Sequence, residues 1–367
     1  MPFLADHDPA SLAAELSRLG LPAVHARKVL REFYASAGEP GALDVAAVGK
    51  GVVAWLASSP LIASVVERRS VSLDGTTKLL IRYPNGSSVE CVLMPTERPD
   101  RTMACVSSQV GCAMGCDFCA STKAGLERNL TAGEIAEQFI HLKRVASKSN
   151  RRITSLDFTG MGVPMHNLDA VLGGVRRIAD PEMGGVGWRQ VTVSTVGIVP
   201  GIDRLAEADL NIHLALSLHA PDDVTRGRLV PMNRKYSVAD IVAAARRFYN
   251  RTGRIVTIEY CLLAGVNDSG EQAALLADLL EGFRAHVNLI PYNLIGVGAA
   301  GVGLTGIAYE RPSADRVQAF LTILREAGVV AHIRQTRGDD VSAACGQLRE
   351  MATRHNSLSR YAGRGLG

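Results

Sequence analysis

The residues with the clearest chemistry are Cys112-Ala-Met-Gly-Cys116-Asp-Phe-Cys119, three thiols within eight positions. Gly111 and Gly115 let the backbone fold closely around whatever the sulfurs hold. A structural zinc site is usually closed by four protein ligands. Three cysteines suit a [4Fe–4S] cluster with one iron left open to a substrate or cofactor, although soft thiolates also serve zinc. Four further cysteines, Cys91, Cys105, Cys261 and Cys345, bring the total to seven. An odd count in a chain of this size argues against a disulfide framework and for a reducing, cytoplasmic setting with metal-bound or reactive thiols.

These residues need a scaffold, and 367 residues are enough for about two domains or one barrel with an appendage. Apolar residues at 47% and charged residues at 21% exclude a disordered or supercharged chain. Lys and Arg exceed Asp and Glu by 40 to 36, a net +4 that permits a nucleic-acid partner without demanding one. The start carries Asp6 and Asp8 and lacks a basic region before an apolar core, so no secretory leader is expected. Val287–Tyr309 is uncharged and long enough to span a bilayer. Its Asn288, Pro291, Asn293 and glycines make it a strand followed by a Gly-rich loop, and no membrane partner is expected.

Apolar spacing predicts helices over Pro9–Gly20 and His25–Tyr34. Arg27, Lys28 and Arg31 on the second suit either a solvated face or contact with a phosphate backbone. Thr77–Tyr83 and Ser88–Met94 flank Pro84-Asn85-Gly86 and predict a hairpin. A module over residues 1–98 is therefore expected before a core over 99–350, with a basic tail over 351–367. In the core, strands at Ala104–Val110, Ile153–Thr159, Val191–Ser194, Ile212–Leu218, Ile255–Leu262, Val287–Pro291 and Val329–Ile333 alternate with helices. Thr131 and Glu134 form a capping-box pattern before one of these. Six βα units predict parallel strands wrapped by helices, with loops rich in Cys, Gly, Ser and His gathered at the C-terminal strand ends. Periodicity alone leaves an open sheet and a barrel equally available.

The CxxxCxxC spacing, with Phe118 before the third cysteine, resembles the radical S-adenosylmethionine (SAM) superfamily. Cys105-Val-Ser-Ser-Gln-Val-Gly-Cys112, Ser217-Leu-His-Ala-Pro221, Asn288-Leu-Ile-Pro-Tyr-Asn293 and Arg337-Gly-Asp-Asp-Val-Ser-Ala-Ala-Cys345-Gly together resemble one of its families. That family comprises the radical SAM methyltransferases that act on an adenosine of 23S ribosomal RNA. The resemblance runs over about residues 15 to 350. It implies an incomplete parallel (β/α)6 barrel of TIM type behind a small N-terminal domain that helps to bind RNA. It also implies a [4Fe–4S] cluster on Cys112, Cys116 and Cys119, and two SAM molecules per turnover. The expected target is adenosine 2503 of 23S ribosomal RNA, with adenosine 37 of transfer RNA as a further one. Reduced flavodoxin or ferredoxin would donate the electron to a monomeric enzyme.

By the same resemblance, Cys345 carries the methyl group, Cys105 resolves the protein–RNA adduct and Glu90 takes the adenine C2 proton. SAM contacts fall on Gly162, Val163, Pro164, Ser194, Ser217, Leu218, His219 and Asn293. Cys91 and Cys261 match no role and are expected to be structural. The family usually reads Gly-Met-Gly-Glu-Pro where this chain reads Gly160-Met-Gly-Val163-Pro164. Val163 cannot accept a hydrogen bond through its side chain, which leaves that part of SAM recognition to the Gly162 and Val163 carbonyls. Gly296-Val-Gly-Ala-Ala-Gly301 matches a dinucleotide-binding pattern only superficially, because the strand–turn–helix context is missing. The alternatives are an adenine-C8 methyltransferase or one acting chiefly on transfer RNA, and a non-enzymatic metal-bearing RNA-binding protein.

Overall fold

A computed structural model describes residues 3–39, 48–58, 61–295 and 302–348. Gly296–Gly301 and the basic tail over 351–367 lie outside the described residues. The chain opens with helices α1 (Pro9–Arg18), α2 (Ala26–Ala35) and α3 (Lys50–Ala57). Asp8 caps α1 by accepting from the Ala10 and Ser11 amides, and Pro9 sits in the first turn, where its missing N–H costs nothing. Leu12, Leu16, Val29, Leu30, Phe33 and Tyr34 bury the inward faces of α1 and α2.

One ten-stranded sheet then runs through the rest of the molecule. Strands β1 (Val65–Val71), β2 (Thr77–Arg82), β3 (Ser88–Pro95) and β4 (Arg101–Cys105) follow one another antiparallel. The hairpin expected around Pro84–Gly86 forms β2 and β3, while β1 continues the meander beyond what the pattern indicated. The turn from β3 to β4 coincides with the expected boundary near residue 98, yet Val92 pairs with Cys105 across it. The N-terminal hairpin thus extends the core sheet.

From β4 the sheet is parallel, in the order β4, β7 (Arg152–Phe158), β8 (Val191–Thr195), β9 (His213–Ser217), β10 (Val256–Leu262), β11 (Ala285–Pro291) and β12 (Val330–Ile333). Six crossovers join these seven strands through helices that include α4 (Ala132–Lys148), α5 (Leu168–Ala179), α6 (Val199–Glu207), α7 (Asp223–Leu229), α8 (Val238–Thr252), α9 (Gly270–Leu279) and α10 (Ala314–Glu326). The strand order follows chain order, as in an incomplete TIM-type barrel. Alternate strand residues such as Val191, Val193, Leu214, Leu216, Val256, Ile258, Val287 and Leu289 are fully buried, as the helix-covered face of such a sheet requires. The Thr131–Glu134 box closes on α4: Thr131 Oγ1 accepts from the Glu134 amide (3.1 Å) and Glu134 Oε2 from the Thr131 amide (2.8 Å).

The strand predicted over Ala104–Val110 divides at Cys105. Residues 109–111 leave the main sheet and pair as β5 (Gln109–Gly111) with β6 (Leu126–Asn129). The cysteine loop lies inside this small hairpin. Gly111 has φ +74, and a Cβ there would collide with the Gly125 carbonyl. Among the described residues no helix is long and apolar enough to cross a membrane, and the uncharged stretch from Val287 begins as β11.

Candidate active site

Two connected chambers open at the C-terminal ends of the parallel strands. The inner one is lined by the cysteine loop, by Thr159, Gly160, Gly162 and Val163 after β7, and by the ends of β8, β9 and β10. The outer one lies between β3, β4 and the segment that follows β12. Cys119, Thr159, Gly160, Arg334 and Cys345 line both.

Cys112, Cys116 and Cys119 face the inner chamber together, on a loop braced at several points. Gly125 O accepts from the Cys112 amide (2.9 Å), and Thr122 Oγ1 donates to the Cys116 and Cys119 carbonyls (3.2 and 3.0 Å). Asp117 accepts from the Thr305 amide (2.8 Å) and the Tyr309 hydroxyl (2.6 Å). The described end of the Gly-rich segment after β11 therefore buttresses the cysteine loop. Among the described residues, no three His, Cys, Asp or Glu side chains are gathered as around a single metal ion. A tetrahedral zinc would need sulfurs roughly 3.8 Å apart, given Zn–S bonds near 2.3 Å. An iron–sulfur cube instead takes one thiolate at each of separate irons, and three cysteines around one chamber fit that donor set. Burial pushes all three thiols up, so bound iron is what would draw their protons off.

Ser194, Ser217 and His219 line the same chamber. Ser194 Oγ donates to Phe158 O (2.6 Å), which leaves its lone pairs for a ligand. The Cys261 amide donates to His219 Nδ1 (3.0 Å), which puts the ring proton on Nε2. Burial lowers His219 to about 3, so the imidazole is neutral, and Phe118 packs edge-on against it at 4.9 Å. His219 adopts φ +63, unusual for a residue with a Cβ. Fully buried Arg226 on α7 sets this corner by donating to Leu218 O (2.9 Å), Ser217 O (3.2 Å) and Val196 O (2.6 Å).

Val163 lines the inner chamber. Its amide donates to Gln109 Oε1 (2.8 Å), and its carbonyl accepts from the His166 amide (3.0 Å). Gly162 has φ +88, and a Cβ there would press on Gln109. The remaining expected SAM contacts lie elsewhere. Pro164 and Leu218 are buried outside the lining. Asn293 lines the outer chamber, where its Nδ2 donates to Cys345 O (3.2 Å).

Cys345 follows a short 3-10 turn, Asp339–Val341, and three directions of support converge on its loop. Asn293 holds its carbonyl. The Ala120 amide donates to Gly346 O (2.8 Å) and Ser121 Oγ to Leu348 O (2.5 Å), tying it to the cysteine loop. From the hairpin side, Ser72 Oγ and the Leu73 amide donate to Asp340 (2.5 and 3.1 Å), and Asp74 accepts from the Gly338 amide (3.0 Å). Cys105, the last residue of β4, lines the outer chamber with its sulfur 3.2 Å from Thr159 Oγ1. Burial pushes its thiol up to about 12. Glu90 lines neither chamber. It lies on the same face of β3 as Val92 and Met94, which do line the outer one, and forms a 2.9 Å ion pair with Lys78.

Sequence reading did not single out Arg334, Glu259 or Thr159, and it set Cys261 aside as structural. All four line the inner chamber. Arg334 lies 3.9 Å from Asp157 and 3.8 Å from Glu259. Glu259 Oε1 accepts from Asn288 Nδ2 (3.1 Å), whereas its buried Oε2 has no hydrogen-bond partner among the described residues. Their signal in the sequence was limited to position: Thr159 and Arg334 lie just beyond the ends of strands, and Glu259 and Cys261 lie within the apolar strand β10.

The radical SAM superfamily pattern matches residues 106–277. A probable dual-specificity RNA methyltransferase, RlmN 1, of Opitutus terrae is 52% identical over 354 residues, covering 95% of this chain and 97% of that protein. A probable dual-specificity RNA methyltransferase RlmN of Symbiobacterium thermophilum is 43% identical over 95% of each. The crystal structure of a radical SAM methyltransferase from Sphaerobacter thermophilus superposes with a TM-score of 0.87 at 43% identity, over 95% of this chain and 99% of that one.

Proposed function

The chain belongs to the RlmN family of radical SAM RNA methyltransferases, and we propose that Cys345 is its methyl carrier to C2 of an adenosine. The family uses a [4Fe–4S] cluster and SAM, which when bound supply the methyl group and one-electron removal of hydrogen. Cys112, Cys116 and Cys119 would hold the cluster. Gly162, Val163, Ser194, Ser217 and His219 would surround SAM, with Pro164 and Leu218 shaping the wall from behind and Asn293 acting through the Cys345 loop.

The observation that carries this reading is that Cys345 lines both chambers. One thiol can then accept a methyl group from the inner side and present it to a base on the outer side. Cys105 faces the same outer chamber, where a thiol must stand to break a Cys345–RNA adduct by exchange. Its raised pKa means that it attacks only when a base takes its proton or a nearby cation draws it off. Glu90, on the chamber-facing side of β3, would take the proton from adenine C2. The base must leave its stack to reach this depth, which favours an exposed loop nucleotide.

The relatives' printed designation, dual-specificity, supports two RNA classes. We assign adenosine 2503 of 23S ribosomal RNA and adenosine 37 of transfer RNA, with reduced flavodoxin or ferredoxin as electron donor to a cytoplasmic monomer. The test is an anaerobic reaction of reconstituted protein with reductant, deuterated-methyl SAM and fragments of both RNAs, with nucleosides and protein read by mass. C2-methyladenosine, methyl label on Cys345 and no product from Cys345→Ala are expected. Cys105→Ala should accumulate a covalent protein–RNA band on a denaturing gel. A C8 product, or clean turnover by Cys105→Ala, overturns the corresponding assignment.

A further inference from the structure

The inner chamber is lined mainly by apolar and neutral groups, among them Met114, Phe118, Val163 and Ile290. Glu259 is the one carboxylate among the described lining residues. Its side chain is more than nine-tenths buried. Asn288 Nδ2 holds Oε1 at 3.1 Å and so fixes the carboxylate group. Oε2 is buried with no hydrogen-bond partner among the described residues, and the nearest cation among them, Arg334 Nη1, stands 3.8 Å away, beyond hydrogen-bond reach. A carboxylate oxygen withdrawn from water without a donor is costly, and native structures keep such an atom where something else supplies one.

The strand register gives Glu259 a specific neighbourhood. It pairs with Ser217 at the end of β9 on one side and with Asn288 of β11 on the other. Two residues on along β10, on the same side of the strand, Cys261 also lines the chamber. The unpartnered oxygen therefore belongs to the wall that carries Ser217. The Arg334 ion pair at 3.8 Å offsets part of the charge but gives Oε2 no hydrogen bond, and Asn288 engages only Oε1.

We propose that Glu259 is a SAM-binding residue whose Oε2 accepts a hydrogen bond from a donor on the cofactor, either its α-ammonium or its ribose hydroxyls. This rests on the reading of the inner chamber as the SAM site. Burial pushes the Glu259 carboxyl up while the Arg334 guanidinium favours its ionised form, and an ionised acceptor in a shielded pocket makes a strong, directional contact with either donor. Glu259→Gln keeps the shape, removes the charge and turns one acceptor into a donor.

The test is calorimetric titration of SAM into anaerobically reconstituted protein, with iron content and thermal melting measured on each sample. Glu259→Gln should weaken SAM binding by about 10- to 100-fold at unchanged iron content, the span expected for one charge-assisted hydrogen bond. Parallel titrations with methionine and with 5′-deoxyadenosine name the donor. Loss confined to methionine assigns the ammonium, and loss confined to 5′-deoxyadenosine assigns the ribose. Wild-type affinity for SAM in Glu259→Gln overturns the proposal. Failure of the wild-type protein to bind SAM instead overturns the reading of the chamber on which the proposal stands. If Glu259→Gln loses its iron or its cooperative melt, Glu259→Asp decides, since it keeps the charge but withdraws it by one methylene. Weakened SAM binding there supports the contact, and unchanged binding refutes it.

Discussion

At the scale of single residues, the site depends on where a few polar groups are held inside apolar walls. His219 is an example: one backbone amide fixes its tautomer, and burial keeps it neutral, so it presents an N–H to the chamber at any ordinary pH. Lys78 is another. It pairs with buried Glu90 at 2.9 Å and also donates to Ser342 O at 3.0 Å, three residues before Cys345. Lys78→Met removes the cation from a carboxylate that is 2% exposed, and should cost about 3 kcal/mol in chemical denaturation. The same variant should slow formation of methylated RNA while Cys345 still acquires its methyl label. Unchanged denaturation midpoints would show that the pair adds nothing to the fold.

At the scale of elements, the loop that carries Cys345 is shaped by contacts from distant parts of the chain. The turn between β1 and β2 reaches it through Ser72, Leu73 and Asp74, which engage Asp340 and the Gly338 amide. This gives the acidic pair Asp339-Asp340 a positioning role. Gln347 reinforces it, donating to Asp339 Oδ1 (2.5 Å) and Leu294 O (2.9 Å). Asp340→Ala should lower methyl transfer to RNA by about 10-fold, the scale of a small misplacement of a reacting group. SAM affinity and iron content should hold, because the cluster cysteines and most of the inner-chamber wall come from other loops, Cys345 and Gly346 being the parts of this loop that line it. Parallel loss of all three would instead mean that the turn supports the whole site. The hairpin thus hydrogen-bonds into the same sheet as the parallel strands and reaches the Cys345 loop.

At the scale of the molecule, several buried ionisable groups lie far from the chambers and set how stability responds to pH. His141 on α4 is buried with Nε2 3.0 Å from Ser64 Oγ, and burial lowers it from 6.5 to about 4. Beside it, Glu137 accepts from the Ala63 and Ser64 amides (2.8 Å each) and ties the entry to β1 onto α4. At pH 7 His141 is neutral in both folded and unfolded chains. As pH falls through 6.5 the unfolded chain takes up a proton that the folded chain refuses until about 4, so stability is lost across that window. The loss attributable to His141 reaches roughly 3 kcal/mol by its lower end. Urea denaturation at pH 7.5 and pH 5 should show it, and His141→Gln should remove this share of the difference while leaving that of His219, which burial lowers to about 3.

Local chemistry carried far in this chain. The cysteine spacing, the alternation of strands and helices, and the Thr131 cap are short-range patterns, and each appears in the structure where the residues place it. The polar residues at strand ends were legible for a similar reason: a parallel sheet sends consecutive C-terminal ends to one face. What only the tertiary structure decided is which of those ends share a chamber. Asn293 turns to the Cys345 loop, Glu90 lines neither chamber, Cys261 and Glu259 reach the cavity from within the apolar strand β10, and Arg334 reaches it from just beyond β12. Single-strand patterns encode burial and face. They do not encode sheet register and loop docking across more than two hundred residues, and it is these contacts that bring Asp340 to Ser72 and Cys345 between the two chambers.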